Sequence, residues 1–290
     1  MLKPIKYVLT APLVEMGDIM VHQTLPNNWT KQIDPFLLVH HWSNILKGKQ
    51  KQREVGVGPH PHCGFSPVTL IIKGGVHHRD SLGNNSIIMD GGIQWINSGK
   101  GIIHSERPVK SLAENGGEFE IVQFWVNTPA KLKKIPPEYF ALQADDIPVF
   151  KFEDGKSVAR IISGELFKLC GKAQFASPVL VVLFDLKKGC VINVPVSEKY
   201  NTFIYQLNGK LIINDSEEIE DKMQVWFENT GDELKLHASE NAQLILFAGE
   251  PINEKVINYG PFVMNNESEI LSAMRDYQMG KMGILIEEFD

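Results

Sequence analysis

The chain has 290 residues, 43% of them apolar, with 29 Lys and Arg against 35 Asp and Glu for a net charge of −6. That apolar share excludes general disorder, and the length gives a prior of two domains of about 130–150 residues. The acidic balance argues against a nucleic-acid-binding surface, which needs clustered Lys and Arg in excess.

The N-terminus, Met1-Leu2-Lys3-Pro4-Ile5-Lys6-Tyr7, lacks the apolar core of a signal peptide. No apolar run approaches the roughly 20 residues needed to cross a bilayer. Three cysteines, Cys63, Cys170 and Cys190, are odd in number and form no CxxC pair. This is the usage of a reducing compartment, so a soluble cytoplasmic protein with no membrane partner is expected. Eight of the nine histidines lie at or before position 104, and only His237 falls in the second half. If there are two domains, one alone is equipped to bind a metal.

Strand signals dominate the order of elements. Residues 68–72 lead into Lys73-Gly74-Gly75, a hairpin-type turn, and then into 76–80. Further β-rich runs at 86–89, 93–96 and 120–126 are separated by Gly, Asn and Asp clusters, the pattern of an antiparallel sandwich or barrel. From 127 to 148 proline and lysine become dense, Lys131, Lys133 and Lys134 among them, which reads as a solvated linker. Val179–Leu186 and 203–207 then read as strands, with Asn208-Gly209 as a type I′ hairpin turn. Gln224-Val225-Trp226 echoes Ile93-Gln94-Trp95. Each tryptophan precedes a turn with Asn and Gly, then a histidine (His104 or His237), then a hydrophobic strand at 121–125 or 244–247. An internal duplication follows: an all-β chain of two antiparallel barrels of one design. The expected divisions are 1–130, a linker at 131–148, and 149–290. The segment Glu267–Gln278 has a helical pattern through Ile270, Leu271, Met274 and Tyr277, with Asn265 or Asn266 to cap it and Gly280 to end it.

Two short motifs concentrate the chemistry: His60-Pro61-His62 and His104-Ser105-Glu106. On a strand the i, i+2 spacing points both side chains of a pair to one face. Brought together, the pairs supply three imidazoles and one carboxylate to a single point. Imidazole suits first-row transition metals, and a carboxylate favours a divalent ion. A structural zinc site would rather use thiolates closed by four protein ligands. Three His and one Glu leave positions open for water, substrate or O2. Fe(II) is the first choice, with Ni, Mn, Cu and Co behind it. His41 is a candidate partner that orients a ligand. His40-His41 and His77-His78 are adjacent pairs, so one of each pair at most faces inward. Cys63 points away from the metal as a packed residue, and Trp95 and Trp125 read as core. His237, followed by Ala238-Ser239, cannot hold a metal alone.

The ordered set His60-Pro61-His62-Cys63-Gly64-Phe65, His78-Arg79-Asp80-Ser81-Leu82-Gly83, Gln94-Trp95 and Gly99-Lys100-Gly101-Ile102-Ile103-His104-Ser105-Glu106 resembles the pirin family. Gly249-Glu250-Pro251 and Gly260-Pro261-Phe262-Val263-Met264-Asn265 are similar to its C-terminal signature. The resemblance implies a bicupin whose N-terminal barrel holds one metal, in the family usually iron, on His60, His62, His104 and Glu106. Some pirins are quercetin 2,3-dioxygenases that open the flavonol ring with O2 and release carbon monoxide. Others are regulators that bind protein partners, transcription factors included. Two departures stand out. Pirins usually read His-Arg-Gly-Phe-Glu-Thr where this chain has His62-Cys63-Gly64-Phe65-Ser66-Pro67, so Ser66 replaces a carboxylate beside the site. The usual Pro-Gly-Asp turn is here Asp90-Gly91-Gly92. The leading expectation is a dioxygenase acting on a small phenolic substrate and O2, with Glu106 as the nearby base in the motif set. The alternative is a non-enzymatic, metal-binding, redox-responsive partner of another protein.

Overall fold

The computed structural model describes residues 1–289. Strand prevails throughout, and among the described residues the α-helices are Lys110–Asn115 and Glu267–Gln278. Two compact units form. One comprises Met1–Val14, His22–Pro35 and Asp146–Ile252; the other comprises Glu15–Val21, Phe36–Asp145 and Asn253–Asp290. The division at 130 and 149 follows the chain; the compact units do not, and backbone pairing is the reason. Ile5–Thr10 pairs antiparallel with Met223–Phe227. The C-terminal segment binds Cys63, whose N–H donates to Pro261 O while Val263 N–H donates to Cys63 O.

There are two seven-stranded and two four-stranded antiparallel sheets, one large and one small belonging mainly to each unit, with the strands in the same order. In the histidine-rich unit the large sheet runs Glu138–Leu142, Ile93–Asn97, Phe65–Lys73, Gly117–Asn127, Phe36–Leu46, Ile19–Leu25, Leu13–Met16. Its small sheet runs Val57–His62, Ile102–Pro108, Gly75–Asp80, Asn85–Met89. In the other unit the large sheet is Ile5–Thr10, Met223–Phe227, Asn201–Asn208, Ala242–Gly249, Val179–Leu186, Val158–Ser163, Val149–Lys151. The small one is Val191–Pro195, Glu233–Ala238, Leu211–Ile213, Glu217–Ile219. The sheets are open rather than closed barrels, and the class is all-β.

Two expected hairpins are instead corners. Phe65–Lys73 and Gly75–Asp80 lie in different sheets, as do Asn201–Asn208 and Leu211–Ile213. The chain changes sheet through Gly74 (φ +85°) and Gly209 (φ +81°). A Cβ at either would stand 2.8 Å from Glu118 O or 1.8 Å from Asn241 O, so glycine is required on both counts. Asn208 keeps a negative φ, which excludes the type I′ turn.

The stretch 131–148 is not a solvated linker. Glu138–Leu142 forms the edge of the large sheet beside Ile93–Asn97. Lys133 is buried, its Nζ donating to Gly64 O (2.5 Å), Asn127 Oδ1 (2.8 Å) and Val263 O (3.0 Å). The C-terminal helix is where its pattern places it. Asn266 Oδ1 accepts from Glu269 N–H, and Gly280 follows its end with φ +71°. Ile270 and Ala273 pack with Cys63, Phe262, Met264 and Met282, whereas Leu271 is exposed.

The interiors differ. In the unit without the motifs, both sheets contribute to one apolar core, including Ile192, Val194, Leu211, Ile213, Leu234 and Leu236. His237 pairs with Val191 and Ile212 between buried Leu236 and Ala238, so alternation puts it on the outer face. It is not the counterpart of inward-facing His104.

Candidate metal centre

The three imidazoles meet because the small sheet registers them. Ile102–Pro108 pairs with Val57–His62, setting His104 opposite His60. The ligand nitrogens of His60, His62 and His104 lie within 4.8 Å of one another. His60 Nε2 is 3.1 Å from His62 Nε2 and 2.9 Å from His104 Nε2. His60 Nδ1 lies 2.8 Å from Gly58 O, which fixes the hydrogen on Nδ1 and leaves the Nε2 lone pair facing the cluster. Burial holds His62 and His104 well below the ordinary histidine pKa, and neighbouring imidazoles push the same way. Burial also lowers His60, against the raising effects of Gly58 and Glu106. The cluster is therefore neutral near pH 7, as a metal requires.

A divalent transition metal fits this donor set. Three imidazole nitrogens converging on one point, with His60 Nε2 2.9–3.1 Å from the other two, suit a cation between them.

Glu106 sits on the same strand, outside the group of three. Its Oε1 accepts from Thr69 Oγ1 (2.5 Å) and Gln94 Nε2 (2.6 Å), and its Oε2 from Gln123 Nε2 (2.7 Å). Tyr139, from the supposed linker, donates through its OH to Gln94 Oε1 at 3.2 Å. Three donors thus hold a buried carboxylate whose one open accepting position is on Oε2.

Above this floor lies a cavity of about 500 Å³, lined by His60, His62, Glu106 and Gln123 with Trp42, Phe119, Ile121 and Trp125. Its position corrects the expectation for Trp125, which shares the inward parity of Ile121 and Gln123 and packs on Phe65 at 4.2 Å and on His62 at 5.5 Å. Trp95 is core, stacked on Phe140 at 5.0 Å. His40 also lines the cavity, and burial pushes its pKa down to about 4. His41 therefore points to the sheet's other face, where its Nε2 is 2.9 Å from Glu120 Oε1. Ser66 donates its hydroxyl to Asn97 Oδ1 at 3.0 Å and lies outside the cavity lining. Cys63 points away from the imidazoles into the C-terminal cluster, and burial pushes its thiol pKa up to about 12.

Sequence reasoning missed Thr69, Gln94, Gln123, His40 and His78. A signal was present for the glutamines, since each interrupts an apolar strand at an inward position. His78 is fully buried opposite Glu106, stacked on Tyr139 at 3.9 Å and 9° and 5.4 Å from the His104 ring. Its Nε2 is 3.0 Å from Asp80 Oδ2. Burial alone would raise the Asp80 pKa, but hydrogen bonds from His78 and Asn84 outweigh it and hold it low.

The arrangement has relatives. Two family models match, Pirin over residues 18–126 and the Pirin C-terminal cupin domain over 181–283. A Pseudomonas aeruginosa protein named as a candidate quercetin 2,3-dioxygenase is 36% identical over 88% of each chain. A pirin-like protein of Caulobacter vibrioides is 32% identical over 96% of this chain and 98% of its own. The crystal structure of a quercetin 2,3-dioxygenase from Acinetobacter baumannii matches with TM-score 0.93 at 34% identity, covering 99% of this chain and 100% of that one. The chain belongs to the pirin family.

Proposed function

We propose that the chain is a metal-dependent dioxygenase acting on a flavonol-like phenol, with His60, His62, His104 and Glu106 as the ligands of one divalent transition metal, Fe(II) before Ni, Mn, Cu or Co. The observation behind it is the convergence of three neutral imidazoles at the floor of an aromatic-walled cavity. The kinship with proteins named quercetin 2,3-dioxygenase supports the reaction type.

A metal bound there would supply a Lewis acid and an electron conduit for O2 chemistry. The protein's own part is binding, orientation and proton handling. Trp42, Phe119, Ile121 and Trp125 cover the planar rings of a phenol and exclude water. His40, neutral near pH 7, forms part of the cavity wall. Glu106 Oε2 has the open position that serves as ligand atom or takes the hydroxyl proton, while Thr69, Gln94 and Gln123 keep the carboxylate in place. Ser66 supplies no replacement base, because its hydroxyl is committed to Asn97.

The test is anaerobic loading with each metal, followed by quercetin and O2, reading loss of the flavonol absorbance. Turnover with at least one ion is expected, and His62→Ala should lose the metal by elemental analysis. No turnover with any ion in protein that retains it would overturn the reading for that substrate.

A further inference from the structure

The ligand histidines are unequally supported. His60 Nδ1 has Gly58 O as its acceptor. His104 turns Nε2 to the cluster, 2.9 Å from His60 Nε2, and leaves Nδ1 buried with no hydrogen-bond partner. A ligand histidine bound through Nε2 bears its hydrogen on Nδ1, and such hydrogens are almost always given to a carboxylate, carbonyl or water. A buried donor without an acceptor is destabilising, so the fold is expected to supply one.

The complementary orphan stands beside it. Asp80 Oδ1 accepts from Leu82 N–H (2.9 Å) and Asn84 N–H (3.0 Å), and Oδ2 from Asn84 Nδ2 (2.8 Å). A carboxylate so surrounded by donors is acceptor-only, so His78 Nε2, 3.0 Å away, carries the hydrogen of that bond. With the hydrogen on Nε2 given to Asp80, Nδ1 is the ring atom left to accept, and it is buried and without a hydrogen-bond partner. Stacking against Tyr139 sets the plane of the ring. A buried donor lacking an acceptor and a buried acceptor lacking a donor thus sit on neighbouring rings whose centres are 5.4 Å apart.

We propose that His78, oriented by Asp80, is the positioning residue of His104: its Nδ1 accepts the Nδ1 hydrogen of His104, directly or through one water. The inference rests on His104 being a metal ligand. It extends the usual carboxylate–histidine support by one imidazole, giving a chain Asp80–His78–His104 that fixes the His104 tautomer and raises its basicity as a ligand.

The test uses the full chain loaded with Co(II), with affinity measured by chelator competition and geometry by visible absorption. His78→Phe keeps the stack on Tyr139 and removes the acceptor; affinity should fall roughly 10- to 100-fold with a changed Co(II) spectrum. His78→Gln, which restores a carbonyl acceptor, should recover part of the loss. Asp80→Asn, able to donate to Nε2 and so place a hydrogen on Nδ1, should weaken binding even if His78→Phe does not fold. A folded His78→Phe with unchanged affinity and spectrum, or an Asp80→Asn with both unchanged, would overturn the inference while His62→Ala still lost metal. Retention of metal by His62→Ala would instead overturn the ligand set itself.

Discussion

A buried neutral imidazole ties stability to pH in one direction. Burial pushes the His40 pKa down to about 4 and holds His62 and His104 well below the ordinary value. Below about pH 6.5 the unfolded chain binds protons that the folded chain refuses, so stability falls as pH falls. For His40 that loss builds between about pH 6.5 and 4 and reaches roughly 3 kcal/mol. His62 and His104 extend it further down. The urea midpoint of metal-free protein should decline steadily from pH 7 to 4.5, and less steeply in His40→Phe. A profile flat over that range would mean the imidazoles protonate within the fold. The ligand motifs are legible in sequence because their i, i+2 spacing needs only the strand period. His40 and His78 are not, since which member of an adjacent pair faces inward depends on sheet register.

At the level of elements, the Pro- and Lys-rich stretch shows how composition misleads. Tyr139, from its edge strand, stacks on His78 and bonds Gln94, so a segment that reads as a linker supports the candidate site. Lys133 ties three elements by donating to Gly64 O, Asn127 Oδ1 and Val263 O. Burial lowers its pKa to about 8, against the raising effects of Cys63, Glu254 and Glu269. Removing the ammonium does not remove its acceptors, which stay in place. Lys133→Met should therefore cost about 3 kcal/mol in urea unfolding, despite relieving a buried charge. An unchanged midpoint would show that those acceptors find other donors. A single lysine among Lys131, Lys133 and Lys134 cannot be singled out by composition, because its partners come from positions 64, 127 and 263.

Across the whole molecule, one strand order encloses two opposite interiors. The tryptophan echo is genuine: Trp95 lies opposite Val68, and Trp226 opposite Phe203, in corresponding strands. Aligned on that pair, Thr69, Gln94 and Gln123 match Ile204, Val225 and Leu246 through the same cross-strand partners. All three donors to Glu106 are thus replaced by core residues where no carboxylate is held. The duplication was readable from spacing, whereas the exchanged termini were not, because they follow from long-range pairing such as Ile5–Thr10 with Met223–Phe227. If these three side chains exist to hold Glu106, they should be energetically coupled to it. Thr69→Ile/Gln94→Val/Gln123→Leu strands a buried carboxylate and should lower stability by roughly 3–5 kcal/mol. Adding Glu106→Leu removes the stranded charge and should restore most of that loss, though metal affinity stays impaired. Urea unfolding and elemental analysis of the triple and quadruple variants decide the matter. If the quadruple variant is less stable than the triple, Glu106 is stabilised by something other than these three side chains.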